Sequence, residues 1–144
     1  TLWESRVEEV TIASKGNSIK FGDLTVAPAA GASFSNYVRG FFAGGHTNPN
    51  YTAIVPGPID YISLASGGNA IRFGDLPSKR TSTTGCASAT RGFIVGGYWD
   101  GSITNVIEYI NFATTGYSMD FGDLIRKLES GGALSDSHGG LGGF

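Results

Sequence analysis

Three aspartates recur at one place in a repeated phrase, and they are the first residues to consider for chemistry. Asp23, Asp75 and Asp123 each stand third in a copy of Phe-Gly-Asp-Leu. A ring of carboxylates could hold a cation, but calcium takes about six oxygen ligands. An aspartate that ends a strand has a simpler use, because its carboxylate accepts backbone N–H groups in a turn. We therefore interpret the three as structural turn residues, and we predict neither a metal site nor a cofactor.

The other reactive side chains do not form a catalytic pattern. Arg39 and Arg91 begin equivalent segments, where they could bind an anion. We favour a structural pairing with an in-phase carboxylate, because a guanidinium suits a bidentate partner. The single cysteine, Cys86, lies among small residues, which favours a structural thiol. His46 and His138 do not have the spacing of zinc ligands, and no Ser-His-Asp set or pair of catalytic carboxylates is visible. The chain is therefore predicted not to be an enzyme.

The best candidates for ligand binding lie in the loops that are expected to follow Gly-Gly pairs. These residues are Trp3, His46, Tyr51, Tyr98, Trp99 and Asp100. Aromatic faces can stack on sugar rings while neighbouring polar groups bind the hydroxyls. The alternative is that the aromatic side chains pack between repeat units or between chains, since Trp is highly buried on average.

Composition narrows the classes of partner. Ten basic and twelve acidic residues are interspersed and the net charge is -2, so there is no basic stripe of the kind that binds nucleic acid. No apolar run reaches the roughly 18 residues of a membrane-spanning helix. Glycine makes up 23 of the 144 residues, which is typical of many tight turns between short strands.

The phrase Phe-Gly-Asp-Leu also measures a repeat, since its copies are 52 and 48 residues apart. Periods of this length are typical of repeat architectures. Each unit has four strand-like stretches: one of small residues, one apolar stretch ending in Gly-Gly, one apolar on both faces, and one carrying the phrase. In one run of the chain they lie at 81–90, 91–97, 107–113 and 121–124. A strand that is apolar on both faces needs layers above and below it. We therefore predict an all-β fold, a β-propeller of four-stranded blades.

These stretches resemble the kelch family of propeller repeats. In kelch repeats an apolar strand closes in Gly-Gly, and a strand with a Val/Ile-x-Tyr core and then an aromatic residue follow. Here Gly96-Gly97, Ile107-Glu108-Tyr109 and Phe121 occur in that order. Phe stands where kelch repeats usually have Trp, and the gap that precedes it is longer. The stretch 59–76 is also similar to repeats in large structural proteins of marine bacteriophages.

The repeat divides one domain, 1–144, into units at 37–84, at 89–136, and at 137–144 together with 1–36. The chain would thus hold three blade-equivalents, one of them split across its ends. Three blades are too few to close a propeller, where about four to eight are usual. We expect two chains to form a homodimer with six blades. A slice of a longer chain with more blades is the alternative.

These features predict a non-enzymatic binding or scaffold module, in a phage virion or another extracellular assembly. Its partners would be a second copy of itself and either a glycan or a virion or surface protein. A secreted carbohydrate-binding lectin is the alternative. An enzyme with a site built from the loops is a third class, which no motif supports.

Overall fold

The computed structural model describes residues 4–47 and 57–136, and every regular element within them is a β-strand. The strands are β1 (Arg6–Glu9), β2 (Ile19–Asp23), β3 (Ala32–Ser35), β4 (Arg39–Ala43), β5 (Gly57–Ser63), β6 (Ile71–Leu76), β7 (Thr84–Ala87), β8 (Arg91–Val95), β9 (Tyr98–Trp99), β10 (Ser102–Ile103), β11 (Val106–Asn111) and β12 (Met119–Asp123). The prediction of an all-β chain is confirmed. Within these two ranges there is accordingly no helix with the length and apolarity needed to cross a membrane.

Two four-stranded antiparallel sheets make up most of the described fold. Sheet I has the order β3-β4-β5-β6, and sheet II has the order β7-β8-β11-β12. In both, the strand of small residues comes first and the strand with Phe-Gly-Asp-Leu comes last, as the sequence predicts for one unit. Strands β1 and β2 form a separate hairpin, here called the first hairpin, which corresponds to the last two strands of a sheet.

The repeated phrase forms a β-bulge at its phenylalanine, before the aspartate. In the first hairpin Val7 pairs with Gly22 and Glu8 pairs with Lys20, so Phe21 is left without a partner. Phe73 and Phe121 are skipped in the same way. A bulge adds one unpaired residue and bends the strand locally. The outer strand therefore continues through the bulge, and β2 and β12 end only at the aspartate.

Aromatic rings fill the space between sheets I and II. The ring centroids of Phe41 and Phe112 are 4.5 Å apart, and those of Phe34 and Phe41 are 5.6 Å apart. The ring of Phe34 lies on sheet II where side chains are missing. A Cβ atom on Gly92 would be 2.1 Å from Cε2 of Phe34, and one on Gly85 would be 2.7 Å from its Cδ1. The glycines at these positions of β7 and β8 are thus explained by the aromatic ring of the neighbouring sheet.

The Gly-Gly pairs turn the chain at the end of β4 and β8. Gly44 and Gly45 have φ values of 74° and 100°, and Gly96 and Gly97 have 60° and 104°. These values lie in the region that favours glycine, as the sequence predicts.

Neighbouring units join through one repeated contact between a turn and a bulge. Gly68 N–H donates to the carbonyl of Phe21 at 3.0 Å, and Ala70 N–H donates to that of Asp23 at 2.8 Å. One unit later, Gly116 N–H donates to Phe73 at 3.2 Å and Ser118 N–H donates to Asp75 at 3.1 Å. The turn between the last two strands of each sheet therefore lies on the bulge of the preceding unit.

The glycine of the phrase makes this close approach possible. A Cβ atom on Gly22 would lie 2.0 Å from the carbonyl oxygen of Gly68, and one on Gly74 would lie 1.6 Å from that of Gly116. Both distances are far below a normal contact, and the obstructing atom belongs to the backbone. The phrase thus combines a bulge, which exposes carbonyl groups, with a glycine that lets a neighbouring backbone reach them.

Candidate ligand-binding hairpin

The loop after Gly96-Gly97 is a tight β-hairpin made of β9 and β10. Its turn residues, Asp100 and Gly101, have φ values of 46° and 85°. Positive φ at both central residues is the mark of a type I′ turn, for which Asp-Gly is a preferred sequence. The predicted loop site is therefore a regular element with a defined tip.

Two aromatic side chains project from this hairpin into solvent. Tyr98 is 38% exposed and Trp99 is 43% exposed, and Asp100 is exposed at the tip. Trp99 pairs with Ser102, and Tyr98 pairs with Ile103. Because successive side chains of a strand point to opposite faces, Trp99 shares one face with the Ser102 hydroxyl and Tyr98 shares the other with Ile103. One face thus combines a large aromatic surface with a hydroxyl, next to the carboxylate at the tip.

The base of the hairpin is held by backbone hydrogen bonds. Thr81 N–H donates to the carbonyl of Tyr98 at 3.1 Å, and Tyr98 N–H donates back to Thr81 at 2.7 Å. Thr104 N–H donates to Gly97 at 2.9 Å. Thr81 and Thr104 are buried. The hairpin therefore has a base tied to the rest of the fold and an exposed tip that carries Trp99.

His46 occupies the corresponding position after the Gly-Gly pair of sheet I, but it is buried. Its side chain is only 2% exposed, and its Nδ1 lies 3.0 Å from the Thr81 hydroxyl oxygen. Its backbone forms a bridge with Ala29. The structure thus places His46 beneath the hairpin, linked to Tyr98 through Thr81. Of the other predicted loop residues, Trp3 and Tyr51 lie outside the described residues.

The three aspartates of the repeat lie at the ends of the outer strands, beside basic side chains where these are present. Asp23 is paired with Lys20, whose Nζ is 2.6 Å from its Oδ2, and Asp75 accepts from Nε of Arg72 at 3.1 Å. The third copy has Asp120 at the position of these basic residues. Across 4–47 and 57–136, no three His, Cys, Asp or Glu side chains are grouped as metal ligands would be.

The Lys20–Asp23 pair makes a testable change in acidity. A hydrogen bond from Lys20, followed by its charge, holds the pKa of Asp23 below its usual value of 3.8. A carboxylate with a lowered pKa stabilises the fold above its unfolded pKa, and this contribution is lost as the pH falls through its folded pKa. We expect Lys20→Met to raise the pKa of Asp23 towards 3.8, as measured by NMR titration of the carboxyl carbon. An unchanged titration would contradict the pairing.

The two in-phase arginines pair with aromatic rings, which corrects the expectation of a carboxylate partner. The guanidinium carbon of Arg39 lies 4.6 Å from the ring centroid of Tyr61, and that of Arg91 lies 5.2 Å from Tyr109. Arg39 also donates to the carbonyl of Phe112 at 3.3 Å. Arginine stacks readily on aromatic faces, and each tyrosine is in the strand next to its arginine. The pairing is therefore structural, as favoured, but its partner is a tyrosine.

A buried ion pair below the hairpin was missed by the sequence reasoning. Nη2 of Arg80 is 2.8 Å from Oε2 of Glu108, and both side chains are almost fully buried. Nη1 of Arg80 donates to the carbonyls of Gly96 at 3.0 Å and Val106 at 3.1 Å. These carbonyls flank the loop that carries β9 and β10. Arg80 thus fixes both ends of the segment from which the hairpin emerges.

Glu108 belongs to a second set of in-phase acidic residues. Glu8, Asp60 and Glu108 each precede the phenylalanine of the phrase by 13 positions. The carboxylate of Asp60 accepts from the backbone N–H and the hydroxyl of Thr25, both at 2.8 Å. Thr25 comes directly after the preceding copy of the phrase. Counting from the phenylalanine, which also measures the repeat, would have identified this set. In two of its members, Asp60 and Glu108, the carboxylate binds the linker that follows the preceding copy of the phrase.

The thiol of Cys86 lies in β7 and is half-buried. Burial raises its pKa above the usual value, so the thiol stays protonated near neutral pH and is a poor nucleophile.

No model of a protein family matches the sequence, and no curated protein matches it either.

Proposed function

We propose that the chain is a kelch-like β-propeller segment that serves as a non-enzymatic binding or scaffold module. Support comes from two four-stranded antiparallel sheets with the same strand order, which pack against each other through an aromatic layer. A propeller is built from such sheets arranged around an axis. In this proposal three blade-equivalents come from each chain, and a homodimer completes six blades.

The proposed ligand is a carbohydrate, bound by the β9–β10 hairpin. The observation that carries this proposal is that Trp99 is 43% exposed on a hairpin whose base is tied to the rest of the fold. Trp is highly buried on average, so a large exposed ring on a hydrogen-bonded hairpin favours a binding role. The Trp99 ring would stack on the apolar face of a sugar, while Ser102 and Asp100 would bind its hydroxyls.

The proposed setting is a phage virion or another extracellular assembly, where the module attaches the particle to a surface glycan or to another virion or surface protein. The similarity of 59–76 to repeats of phage structural proteins supports this setting. A secreted lectin would use the same hairpin, and the two differ in whether the protein is part of a particle. Antibody labelling of purified particles would separate them.

We expect Trp99→Ala to weaken binding to a glycan identified on an array by about tenfold. Pairs of aromatic side chains contribute about 0.5–1.5 kcal/mol beyond their buried area, and we take the same range for a ring stacked on a sugar. About 1.4 kcal/mol corresponds to tenfold in affinity. The measurement is calorimetric titration of both proteins with the glycan.

Tyr117→Ala is the matched control, because Tyr117 is 68% exposed and lies in the turn between β11 and β12, at the other end of sheet II. Equal losses from both variants would rule out the hairpin as the binding site. A failure of every glycan to bind would leave the scaffold function without a carbohydrate ligand. Release of a shortened glycan would instead identify a hydrolase.

A further inference from the structure

The described chain contains two joined turn–bulge contacts and the separate halves of a third. The turns around Gly68 and Gly116 lie on the first and second bulges. Counting back five residues from Phe21 places Gly16 at the same position as these two glycines. The third bulge, at 121–123, and the turn at 14–18 are both exposed, apart from the partly buried Gly122.

The exposed fraction of the bulged phenylalanine differs between bulges that carry a turn and the bulge that does not. In the two bulges that carry a turn, Phe73 is 3% exposed and Phe21 is partly buried, whereas Phe121 is 54% exposed. The rings of Phe73 and Phe121 each make edge-to-face contacts with two aromatic residues of their own sheet. A Cβ atom on Gly122 would meet nothing within 4 Å, unlike one on Gly22 or Gly74. The difference between the copies is therefore the neighbouring unit.

The same kind of junction has a second pair of complementary features, a cavity and an apolar side chain, which are not in contact within one chain. A cavity of about 410 Å³ separates the first hairpin from sheet I, with Val7 and Phe21 on one side and Ser33, Gly40 and Leu64 on the other. Ser33 and Gly40 stand at the positions that Gly85 and Gly92 occupy in sheet II. In sheet II the corresponding site is filled by the ring of Phe34.

Leu134 stands at the position of Phe34 two units later, and Cys86 has that position in the unit between them. Phe34 follows Phe21 by 13 positions, and Leu134 follows Phe121 by 13. Leu134 is 98% exposed, which is unusual for a large apolar side chain and costs hydrophobic free energy unless the side chain is covered. Phe34, at the same position in the repeat, fills the space beside Gly92 of the following sheet. By this analogy, Leu134 would enter a cavity like the one beside Gly40.

The linkers that join one unit to the next repeat a third contact. Ser82 N–H donates to the carbonyl of Ala30 at 2.6 Å, and Ser130 N–H donates to that of Ser82 at 2.8 Å. These three residues occupy the same place in the repeat and have φ values of 57°, 55° and 51°. This series of hydrogen bonds begins at Ala30 and ends at Ser130. The Ala30 N–H of one copy could therefore extend the series by donating to the Ser130 carbonyl of another copy.

We propose that a second copy of this chain docks here, with its turn 14–18 on the bulge at 121–123 and its cavity beside Gly40 receiving Leu134. In this junction Gly16 N–H donates to the carbonyl of Phe121, and Ser18 N–H donates to that of Asp123. The side-chain oxygen of Asn17 takes the role of Asn69, which accepts from the backbone N–H of Asp23 at 3.1 Å. Exposed Lys15 lies on one surface and exposed Asp123 on the other, so their charges are complementary.

This inference rests on the proposed two-copy propeller and specifies where the copies meet. The two docking surfaces lie at different places on the chain, so the contact is heterologous. It can close into a ring when each copy offers its bulge to the other copy's turn. A two-copy ring contains the junction twice, and both copies use the same residues.

The test is the solution mass by sedimentation equilibrium over a range of concentrations. The wild-type protein is expected at twice 15.0 kDa, and Leu134→Glu and Phe121→Glu are each expected at the monomer mass. Leu134 is 98% exposed, so its substitution leaves the fold intact even if Phe121→Glu disturbs its sheet. Ile71→Glu is the control, because Ile71 is an outer-strand residue that stays 58% exposed beside a closed junction, and it should remain dimeric.

Mixing two defective variants tests the pairing of surfaces. Gly16→Pro removes the N–H group that would bind Phe121 but leaves Leu134 and the third bulge intact, so alone it should also be monomeric. Mixed with Phe121→Glu, it can form one intact junction, and a 1:1 dimer should reappear. No dimer should form when Leu134→Glu is mixed with Phe121→Glu, since both carry the same defective surface.

A monomeric wild type at all concentrations would overturn the proposal, and so would dimeric Leu134→Glu and Phe121→Glu proteins. The second result would place the dimer contact elsewhere and leave the proposed binding function standing. Glycan binding is measured separately through Trp99, so a loss of binding without a change in mass would count against the binding function alone.

Discussion

Glu108→Ala is expected to lower the free energy of unfolding by about 3–5 kcal/mol, because it leaves a buried guanidinium without its counter-charge. Arg80 is almost fully buried and its Nη2 lies 2.8 Å from the lost carboxylate. The two carbonyl partners that remain, Gly96 and Val106, do not neutralise the charge. Chemical denaturation followed by Trp fluorescence measures the change. Glycan affinity should fall as well, because Arg80 holds both ends of the hairpin segment.

Two further variants separate burial of charge from loss of contacts. The double variant Arg80→Met, Glu108→Leu removes both charges and should recover most of the stability, since apolar replacements of a buried ion pair are often neutral or stabilising. Glu4→Ala removes one of the two exposed carboxylate partners of Arg6 and should cost less than about 1 kcal/mol. If Glu108→Ala cost no more than Glu4→Ala, the pair would contribute nothing to the fold.

Gly74→Ala is expected to lower the free energy of unfolding by about 3 kcal/mol, at the upper end of the cost of overpacking. The new Cβ atom would lie 1.6 Å from the carbonyl oxygen of Gly116. A side chain could rotate away, but this obstacle is backbone. The turn must therefore move off the bulge, and the hydrogen bonds from Gly116 and Ser118 are lost with it.

Gly132→Ala is the control for a glycine without a close neighbour, because its Cβ atom would meet nothing within 4 Å. Its effect should stay within about 0.5 kcal/mol, as for ordinary surface substitutions. Hydrogen exchange adds a local readout, since Gly74→Ala should expose the amides of the 116–118 turn more than those of β8. Unchanged protection of that turn would argue against the contact.

Much of the architecture could be predicted because the repeat encodes it locally. The order of four strands, the positive φ values of the Gly-Gly pairs and the burial of β5 on both faces follow from residue types at fixed spacings. The hairpin at Asp100-Gly101 was also predictable, since Asp-Gly between two short strands is a strong signal.

The candidate site was less predictable, because burial and partner choice depend on neighbours far away in sequence. His46 and Tyr98 occupy equivalent positions, but one is buried beside Thr81 and the other projects from a hairpin. Arg39 and Arg91 find tyrosine rings on adjacent strands. Nothing near these residues in sequence distinguishes such partners from a carboxylate or from solvent.

The phrase Phe-Gly-Asp-Leu shows which features depend on the local sequence and which depend on tertiary contacts. The chain alone specifies that Phe-Gly-Asp-Leu recurs and that a strand precedes it, because periodic residue types dictate periodic local structure. Only the tertiary structure decides that the phenylalanine is bulged, that the glycine receives a neighbouring backbone, and that Phe73 is buried while Phe121 is exposed. The physical reason is that strand register and burial are set by contacts between units about fifty residues apart, and identical phrases differ only in which unit lies beside them.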